Sequence, residues 1–274
     1  MKTHSFLGRR LTAVSVGHYI QLFYRAALFL AALTVYIVRR VKGLGTMLDF
    51  AEKMPVMLGV IWVVFMVEMA FRFFPSRLAS PGSEKQFAQH YVPTGETKPA
   101  LHDNNAAVLV MLIWIAFNGL FGALYQTGVF DEDIMLLICL AYSVCDMICI
   151  LFFCPFQTWF LKNKCCGSCR IYNWDYAMMF TPLFFVPRVY TWSLLAAAAA
   201  LLIRWEITVY RHPERFSEKT NGYLRCAVCT EKLCTHKTQL RTLWEQLKRE
   251  ERRLEERLRL PGKKESASDP AKKI

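Results

Sequence analysis

Blocks of apolar sequence long enough to cross a lipid bilayer dominate this chain. The hydrocarbon core of a membrane is about 30 Å thick, and a helix needs roughly 20 apolar residues to cross it. Four blocks of about this length lie at residues 18–38, 55–74, 106–125 and 133–160, and a longer one lies at 177–209. Because 54% of the residues are hydrophobic and gathered in blocks, the sequence predicts an all-α, polytopic transmembrane helical bundle with four to five spanning helices.

The fifth block is too long for one straight helix across the membrane. A helix over residues 177–209 would extend about 50 Å at about 1.5 Å per residue. Pro187, followed by Arg188, is the expected break, because proline removes a backbone hydrogen bond and clashes with the preceding turn. A re-entrant half-helix over residues 176–186, followed by a longer helix from Val189, fits the pattern. A strongly tilted helix, or one that continues beyond the membrane, is the alternative.

The chain has a formal net charge of +12, and most of its basic residues lie at the edges of the apolar blocks and in the tail after Arg204. Lys and Arg in these positions anchor helix ends and contact anionic lipid headgroups. The pattern therefore favours the lipid bilayer as a partner and argues against nucleic acid. Arg39 and Arg40 follow the first apolar block where a signal peptide would need small residues, so we interpret this block as an uncleaved first helix.

Loop charges indicate the topology, since Lys and Arg prefer the cytoplasmic side. If the fifth block reverses direction, the basic N-terminal tail at residues 1–17, the second loop, the fourth loop and the C-terminal tail all become cytoplasmic. The third loop, which has no Lys or Arg, then lies outside, together with a basic first loop. The sequence thus predicts an inner or plasma membrane protein with both termini in the cytoplasm.

Two cysteine pairs with CxxC spacing flank the fifth block: Cys166 with Cys169, and Cys226 with Cys229. A tight turn directs two thiolates toward one ion, and two such turns complete the tetrahedral site that Zn²⁺ prefers. Both pairs face the reducing cytoplasm in the favoured topology, where metal binding is expected more often than disulfide formation. Additional donors close to these pairs are Cys165, Cys234 and His236.

The same thiols are compatible with other chemistry. A sulfur-rich ligand set also suits an iron–sulfur cluster, and the spacing does not separate the two kinds of metal centre. A redox dithiol is a further alternative, in which Lys164 and Arg170 would favour a thiolate, and buried free thiols are the simplest structural interpretation. We predict a zinc-stabilised scaffold or interaction module, with a membrane electron-transfer component as the alternative.

Other chemistry is less well indicated by the sequence. Cys145 and Cys149 share a helix face in the fourth block, but packing accounts for them better than ligation. The apolar blocks contain no pair of histidines, so no haem is expected. The sequence has no phosphate-binding glycine loop, nucleophile elbow or HExxH motif, and we do not predict an enzyme.

Arg25, Glu68, Asp146 and Arg188 are charged residues within the apolar blocks. Charges inside a membrane are energetically expensive and usually face a partner or a cavity. Their depths predict that Arg25 pairs with Glu68 and that Asp146 pairs with Arg188. Such pairs either lock the helices together or form a proton or ion path. A small transporter with Glu68 and Asp146 in its path is therefore a third hypothesis.

The sequence becomes polar after the transmembrane domain at residues 18–209. Residues 210–237 form a membrane-proximal, cysteine-rich segment, 238–260 an amphipathic charged helix, and 261–274 a tail with the composition of a disordered segment. The apolar stripe of the helix covers only about three heptads, too few for a sustained coiled coil. It suits a protein partner, self-association or docking on the membrane surface, and a solvated helix is the simpler alternative.

Overall fold

The computed structural model describes residues 13–75, 84–100, 104–161, 166–225, 229, 249 and 252, and these form a bundle of helices. Five helices are long: α1 (Ala13–Lys42), α3 (Pro55–Phe73), α4 (Asn104–Gln126), α5 (Glu132–Leu151) and α7 (Val189–Arg211). Two are short: α2 (Met47–Glu52) and α6 (Asp175–Phe180). The five long helices are all long and apolar enough to cross a membrane, so the predicted all-α polytopic bundle is confirmed.

Several predicted segments lie outside the described residues. These are residues 1–12, all of the 238–260 helix except Arg249 and Arg252, and the whole 261–274 tail. Their predicted structures stay predictions.

The long helices place the connecting segments at two opposite ends of the bundle. At one end, Arg40 Nη1 in the last turn of α1 lies 3.6 Å from Asp131 Oδ2 just before α5. At the other end, the ring of Tyr19 lies 6.2 Å from that of Phe152, which follows α5. We call these the first-loop end and the cysteine end, because a turn at Cys166–Ser168 lies at the second of them.

Helices α3 and α7 cross the bundle in the same direction. Trp62 Nε1 donates to Ser193 Oγ at 2.8 Å toward the first-loop end, and Arg204 donates to the carbonyl of Phe73 toward the cysteine end. The largest apolar core lies along this pair of helices. Its buried side chains include Phe65, Met69, Met179, Phe180, Leu201 and Trp205.

The first loop is fixed to the start of α5 by helix capping. Gly43 and Gly45 have φ angles of 65° and 36°, a left-handed conformation that glycine adopts without a Cβ clash. The next helix, α2, begins with the amides of Met47 and Leu48, which donate to the buried Asp133 carboxylate at 2.6 and 3.0 Å. These contacts satisfy N–H groups that have no partner inside a helix.

The helix in the fourth apolar block ends earlier than the predicted boundary at residue 160. Helix α5 ends at Leu151, and Pro155 follows shortly after. Proline lacks an N–H group and disfavours helical backbone at the residue before it. A separate short helix then covers Phe156–Phe160, so the last apolar residues of this block lie beyond the spanning helix.

The fifth apolar block is broken at Pro187, as its sequence predicts. Helix α6 continues into a 3₁₀ turn at Thr181–Phe185, and α7 begins at Val189. The amide of Arg188 donates to the Thr191 hydroxyl at 3.1 Å, which caps the start of α7. Proline at this position therefore separates two helical segments instead of kinking one.

The segment before this break, predicted as a re-entrant half-helix, lies beside α3. Asp175 at its start contacts Arg72 in the last turn of α3, whereas Arg188 after its end lies 3.4 Å from Glu52, just before α3. It therefore covers nearly the length of α3, helped by its 3₁₀ turn, which rises about 2.0 Å per residue. The segment and α7 form a hairpin that turns at the first-loop end, so α1 begins and α7 ends at the cysteine end.

Candidate functional site: a buried ion cluster and the cysteine end

Arg25 lies at the centre of an ion cluster in the half of the bundle nearer the cysteine end, which we call the polar half. Its side chain is 1% exposed and contacts Glu68 Oε2 at 2.7 Å and Asp146 Oδ2 at 3.1 Å. Arg25 also donates to the Ser143 carbonyl at 3.1 Å, and the Phe65 ring lies 5.7 Å from its guanidinium carbon. Groups from α3 and α5 thus surround an arginine of α1, as a charge inside a membrane requires.

Hydrogen bonds from several side chains converge on Glu68. Its Oε1 accepts from Gln21 Nε2 at 3.2 Å and from the Tyr24 hydroxyl, and its Oε2 accepts from the Tyr176 hydroxyl at 3.2 Å. His18 Nδ1 lies 3.0 Å from Gln21 Oε1 and extends the network toward the cysteine end. His18, Gln21 and Tyr24 precede the central arginine on the same helix, and sequence reasoning missed all three.

A second ion pair, between Arg72 and Asp175, adjoins the first. The Arg72 guanidinium carbon lies 5.2 Å from the ring centroids of both Tyr172 and Tyr176, which adds cation–π contacts. Sequence reasoning missed this pair, because Arg72 lies near the edge of the second block and Asp175 lies just before the fifth. The spacing of Glu68 and Arg72, four residues apart on one helix face, is a signal that could have found it.

The ion cluster contains more carboxylates than guanidinium groups. Glu68, Asp146 and Asp175 share two arginines, and the His18 imidazole is buried beside them. Two buried atoms, His18 Nε2 and Asp175 Oδ1, have no hydrogen-bond partner in the part of the chain that the structure describes. In this part of the bundle the described acidic groups therefore outnumber the described arginines that can balance them.

Arg188 does not pair with Asp146 as the sequence analysis predicted. It lies at the first-loop end, where its Nη2 donates to Glu132 Oε2 at 3.2 Å and its Nη1 lies 3.4 Å from Glu52 Oε1. The hydrogen bond to Glu132 and the nearby acidic charges raise the pKa of Arg188 above its usual value. Asp146 lies one turn before the other end of α5, so the two residues are at different depths. The expected Arg25–Glu68 pair, by contrast, is present.

The turn that carries the first cysteine pair is held by a buried amide from the second loop. Gln86 Nε2 donates to the Gly167 carbonyl at 2.7 Å, and Gln86 Oε1 accepts from Asn173 Nδ2 at 2.7 Å. Gly167 lies between Cys166 and Cys169. Sequence reasoning gave Gln86 no role, because a glutamine in a polar loop has no distinguishing pattern.

The second cysteine pair is contacted by the residue next to this glutamine. Lys85 Nζ donates to Cys229 Sγ at 3.3 Å, and the Lys85 carbonyl accepts from Asn221 Nδ2 at 3.0 Å. One dipeptide of the second loop, Lys85–Gln86, therefore contacts both the first cysteine turn and Cys229. The two cysteine segments lie at the same end of the bundle.

Arg170, directly after Cys169, joins the first cysteine turn to α7. Its two Nη groups donate to Glu206 of α7 at 2.6 and 2.5 Å, a bidentate geometry that strengthens charge-assisted hydrogen bonds. Trp174 Nε1 donates to the same carboxylate at 2.6 Å. Arg170 is thus engaged by a carboxylate of α7, and its predicted influence on the cysteine thiols stays a prediction.

The predicted metal ligands are only partly within the described residues. Cys169 is buried and Cys229 is half-buried, whereas the Cys166 side chain and all of Cys165, Cys226, Cys234 and His236 lie outside the description. Among the described residues, no three His, Cys, Asp or Glu side chains converge as a metal site would require. The four-cysteine site therefore stays a prediction.

An apolar cavity of about 210 Å³ occupies the half of the bundle nearer the first-loop end, which we call the apolar half. Residues of α1, α2, α3, α5, α6 and α7 line it. Most are apolar, and the hydroxyls of Ser143, Tyr190 and Thr191 donate to oxygen atoms of the protein. Phe65 and Ser143, which contact Arg25, line its inner end. The cavity and the ion cluster are therefore neighbours along the bundle axis.

Comparisons with protein-family models, curated proteins and solved structures find no match for this chain. The functional argument therefore rests on the arrangement of these residues.

Proposed function

We propose that this protein is an integral membrane scaffold in which Cys166, Cys169, Cys226 and Cys229 bind one Zn²⁺ ion. The observation that carries the proposal is the contact of Lys85–Gln86 with both cysteine segments, through Cys229 Sγ at 3.3 Å and the Gly167 carbonyl at 2.7 Å. Zinc bound between the segments would tie the C-terminal tail to the membrane domain. The 238–260 helix would then leave the bundle from a fixed point and present its surface to a protein partner or a second copy.

The surroundings of the two cysteine segments support a rigid metal site. Metal ligands need a supporting shell of hydrogen bonds that fixes their orientation. Gln86 and Arg170 supply such contacts on the first segment, and Lys85 donates to the Cys229 sulfur. Structural zinc sites contribute directly to folding free energy, so metal loss would release the tail. Cys165, Cys234 and His236 are additional donors close to this ligand set.

Metal analysis separates the zinc scaffold from its alternatives. The protein would be purified anaerobically, and its zinc, iron and acid-labile sulfide measured together with a visible spectrum. We expect about one zinc per chain and no visible colour, because a four-thiolate zinc site has no redox-active metal. Iron with sulfide would instead establish the electron-transfer alternative, and metal-free protein with cycling thiols would establish the redox dithiol.

Matched cysteine variants identify the ligands. Cys229→Ser and Cys169→Ser should each lower zinc well below one per chain, because serine does not replace a zinc-bound thiolate. Cys154→Ser is the control, since Cys154 follows α5 and lies outside both CxxC pairs. Equal zinc content in all three variants would exclude these ligands.

In this proposal the protein lies in an inner or plasma membrane, and its cysteine end faces the cytoplasm. Lys98 and Lys53 are exposed on opposite ends of the bundle, so each can be replaced by a reporter cysteine. In intact cells, a membrane-impermeant maleimide should modify the Lys53→Cys peptide and leave the Lys98→Cys peptide unmodified. Peptide mapping by mass spectrometry separates both sites from the native cysteines. The reverse pattern would place the cysteine segments outside the cell. They would then no longer face the reducing cytoplasm, which is the reason for expecting metal binding instead of disulfides.

A proton or ion path through the ion cluster is the second candidate function. The observation that favours it is the excess of carboxylates over arginines around His18, together with His18 Nε2 and Asp175 Oδ1, which lack a hydrogen-bond partner among the described residues. Buried acidic side chains of this kind occur in proton relays of membrane proteins. Asp146→Asn would abolish proton-coupled flux into liposomes while leaving the zinc content unchanged. Unchanged flux, or no flux in the unaltered protein, would contradict this candidate.

A further inference from the structure

We propose that the apolar cavity holds one hydrocarbon chain of a membrane phospholipid, drawn from the leaflet at the first-loop end. This inference concerns the apolar half and is independent of the metal site. It rests on four properties of the cavity: its lining, its opening, its depth and the charges at its outer edge.

The lining of the cavity excludes water and admits hydrocarbon. A water molecule in a buried cavity needs two to four polar partners, and an engineered apolar cavity of about 150 Å³ stays dry and binds benzene. The cavity here is larger, at about 210 Å³, and presents apolar surface only. A segment of an alkyl chain is therefore the class of ligand that its chemistry accepts.

The cavity opens between α1 and α3 toward the surrounding membrane. Ala31 of α1 and Met57 of α3 line it and are both exposed, Met57 to 44%. Beyond them the outer faces of the same helices carry exposed apolar side chains such as Leu30 and Val60. Since α1 and α3 are both long and apolar enough to cross the bilayer, the medium outside this opening is lipid hydrocarbon.

The depth of the cavity matches the chains of one leaflet. Its lining runs along α3 from Met57 to Phe65, about 12 Å of helix at about 1.5 Å per residue. One leaflet accounts for half of a hydrocarbon core that is roughly 30 Å thick. Phe65 and Ser143, which both contact Arg25, close the inner end of the cavity. A chain entering from the first-loop end would stop at the ion cluster.

Basic side chains lie where the lipid headgroup would be. Lys42 ends α1 and Lys53 lies between α2 and α3, and both are exposed. The neighbouring acids Glu52 and Asp49 are within 4.0 Å of Arg188. A lysine at the membrane surface attracts an anionic headgroup, so we expect a preference for phosphatidylglycerol over phosphatidylcholine. Lys and Arg are less common in loops outside the cytoplasm, and this preference would give the lysines of the basic first loop a function there.

A photoreactive lipid can locate the chain. The full-length protein would be placed in nanodiscs that contain phosphatidylglycerol with a diazirine in the middle of one acyl chain, irradiated, and mapped by mass spectrometry. We expect label on Met179 and Phe180, which line the cavity and are 1% and 2% exposed, because bulk lipid cannot reach them. Label confined to outward residues such as Val60 would overturn the proposal.

Cavity-filling variants provide the matched control. Ala32→Phe places a ring in the cavity and should reduce label on Met179 about tenfold, because a close-packed interior has no room for both groups. Ala27→Phe changes an exposed position of the same helix outside the cavity and should leave the label unchanged. If Ala32→Phe does not give monodisperse protein, Ala31→Phe at the opening replaces it. If a folded cavity-filling variant keeps the label on Met179, the proposal is overturned.

Charge variants test the headgroup. Lys42→Gln with Lys53→Gln should remove the preference for labelling by phosphatidylglycerol over phosphatidylcholine, while Lys98→Gln at the cysteine end should keep it. Equal labelling by both lipids in the unaltered protein would contradict the role of these lysines.

Discussion

Helix α1 turns one face toward the centre of the bundle, and the two halves of that face differ in chemistry. In the polar half this face carries His18, Gln21 and Arg25, which join the ion cluster. In the apolar half it carries Leu28 and Val35, which line the cavity. Helices α3 and α5 repeat the change, since each has apolar residues around the cavity and charged residues in the cluster.

The difference shows which half of the bundle determines how the helices fit together. Lipid chains are as apolar as leucine, so the hydrophobic effect does not drive helices together inside a membrane. Hydrogen bonds and ion pairs have fixed lengths and directions, and the polar half connects α1, α3, α5 and α6 through them. The apolar half relies on packing and leaves a cavity. We infer that the polar half sets the helix register and that the apolar half tolerates change.

The largest effect on stability is expected from Arg25→Met. Removing one partner of a buried ion pair leaves an uncompensated charge, which costs about 3–5 kcal/mol. Here two carboxylates, Glu68 and Asp146, lose their shared partner. The measurement is the denaturant midpoint of unfolding in detergent micelles.

A compensated variant sharpens this prediction. Neutral groups in place of a buried ion network are often tolerated, so Arg25→Met combined with Glu68→Gln and Asp146→Asn should recover most of the lost stability. A triple variant less stable than Arg25→Met alone would show that the carboxylates stabilise the bundle independently of the arginine.

A smaller effect is expected from Gly122→Ala, which tests the apolar half. A Cβ atom at this position of α4 would lie 2.2 Å from Cζ of Phe185, whereas one at Gly119, a turn earlier, would have no neighbour within 4 Å. Overpacking of this kind costs about 1–3 kcal/mol. Gly119→Ala is therefore the control: both variants gain the helix propensity of alanine, so Gly122→Ala should have a lower unfolding midpoint than Gly119→Ala.

Phe185→Leu in the Gly122→Ala background should restore part of the stability, since the shorter side chain makes room for the new methyl group. If Gly122→Ala is as stable as the unaltered protein, the Phe185 ring moves freely, and packing in the apolar half is looser than the comparison between the halves assumes.

The smallest effect is expected from Arg188→Gln. Its carboxylate partners lie at the first-loop end, where the side chain is 35% exposed, and exposed ion pairs contribute little to stability. The unfolding midpoint should not change measurably, in contrast to Arg25→Met. A large loss would mean that the hairpin turn at Pro187, and not the polar half, holds the bundle together.

The sequence predicts the spanning helices well because the bilayer dictates their length. Each long helix needs enough apolar residues to cross the hydrocarbon, and this constraint is visible in the chain. Boundaries are less certain where apolar residues continue past the membrane, as they do after Leu151. The break at Pro187 was predictable from backbone chemistry, but the reach of the preceding segment was not, because it depends on a 3₁₀ turn at Thr181–Phe185.

Pairing of charges is predictable only where the depth of each residue is known. Arg25 and Glu68 lie well inside their helices, and their pairing follows from depth. Helix α7 begins at Val189 as predicted, but Arg188 just before it lies at the first-loop end, beside Glu132, and not at the depth of Asp146. The contacts of Lys85 and Gln86 with the cysteine segments were not predictable, because they bring together loops far apart in the chain.

The hairpin at Pro187 has a consequence for how the protein enters its membrane. Helix α6 has six residues and the following 3₁₀ turn has five, whereas independent insertion of a helix requires roughly 20 apolar residues. This stretch is too short to insert by itself, so we expect it to partition into the bilayer together with α7. Asp175 and Tyr176 contact Arg72 and Glu68, so we expect the contacts of this segment with α3 to form only when α7 has entered the membrane as well.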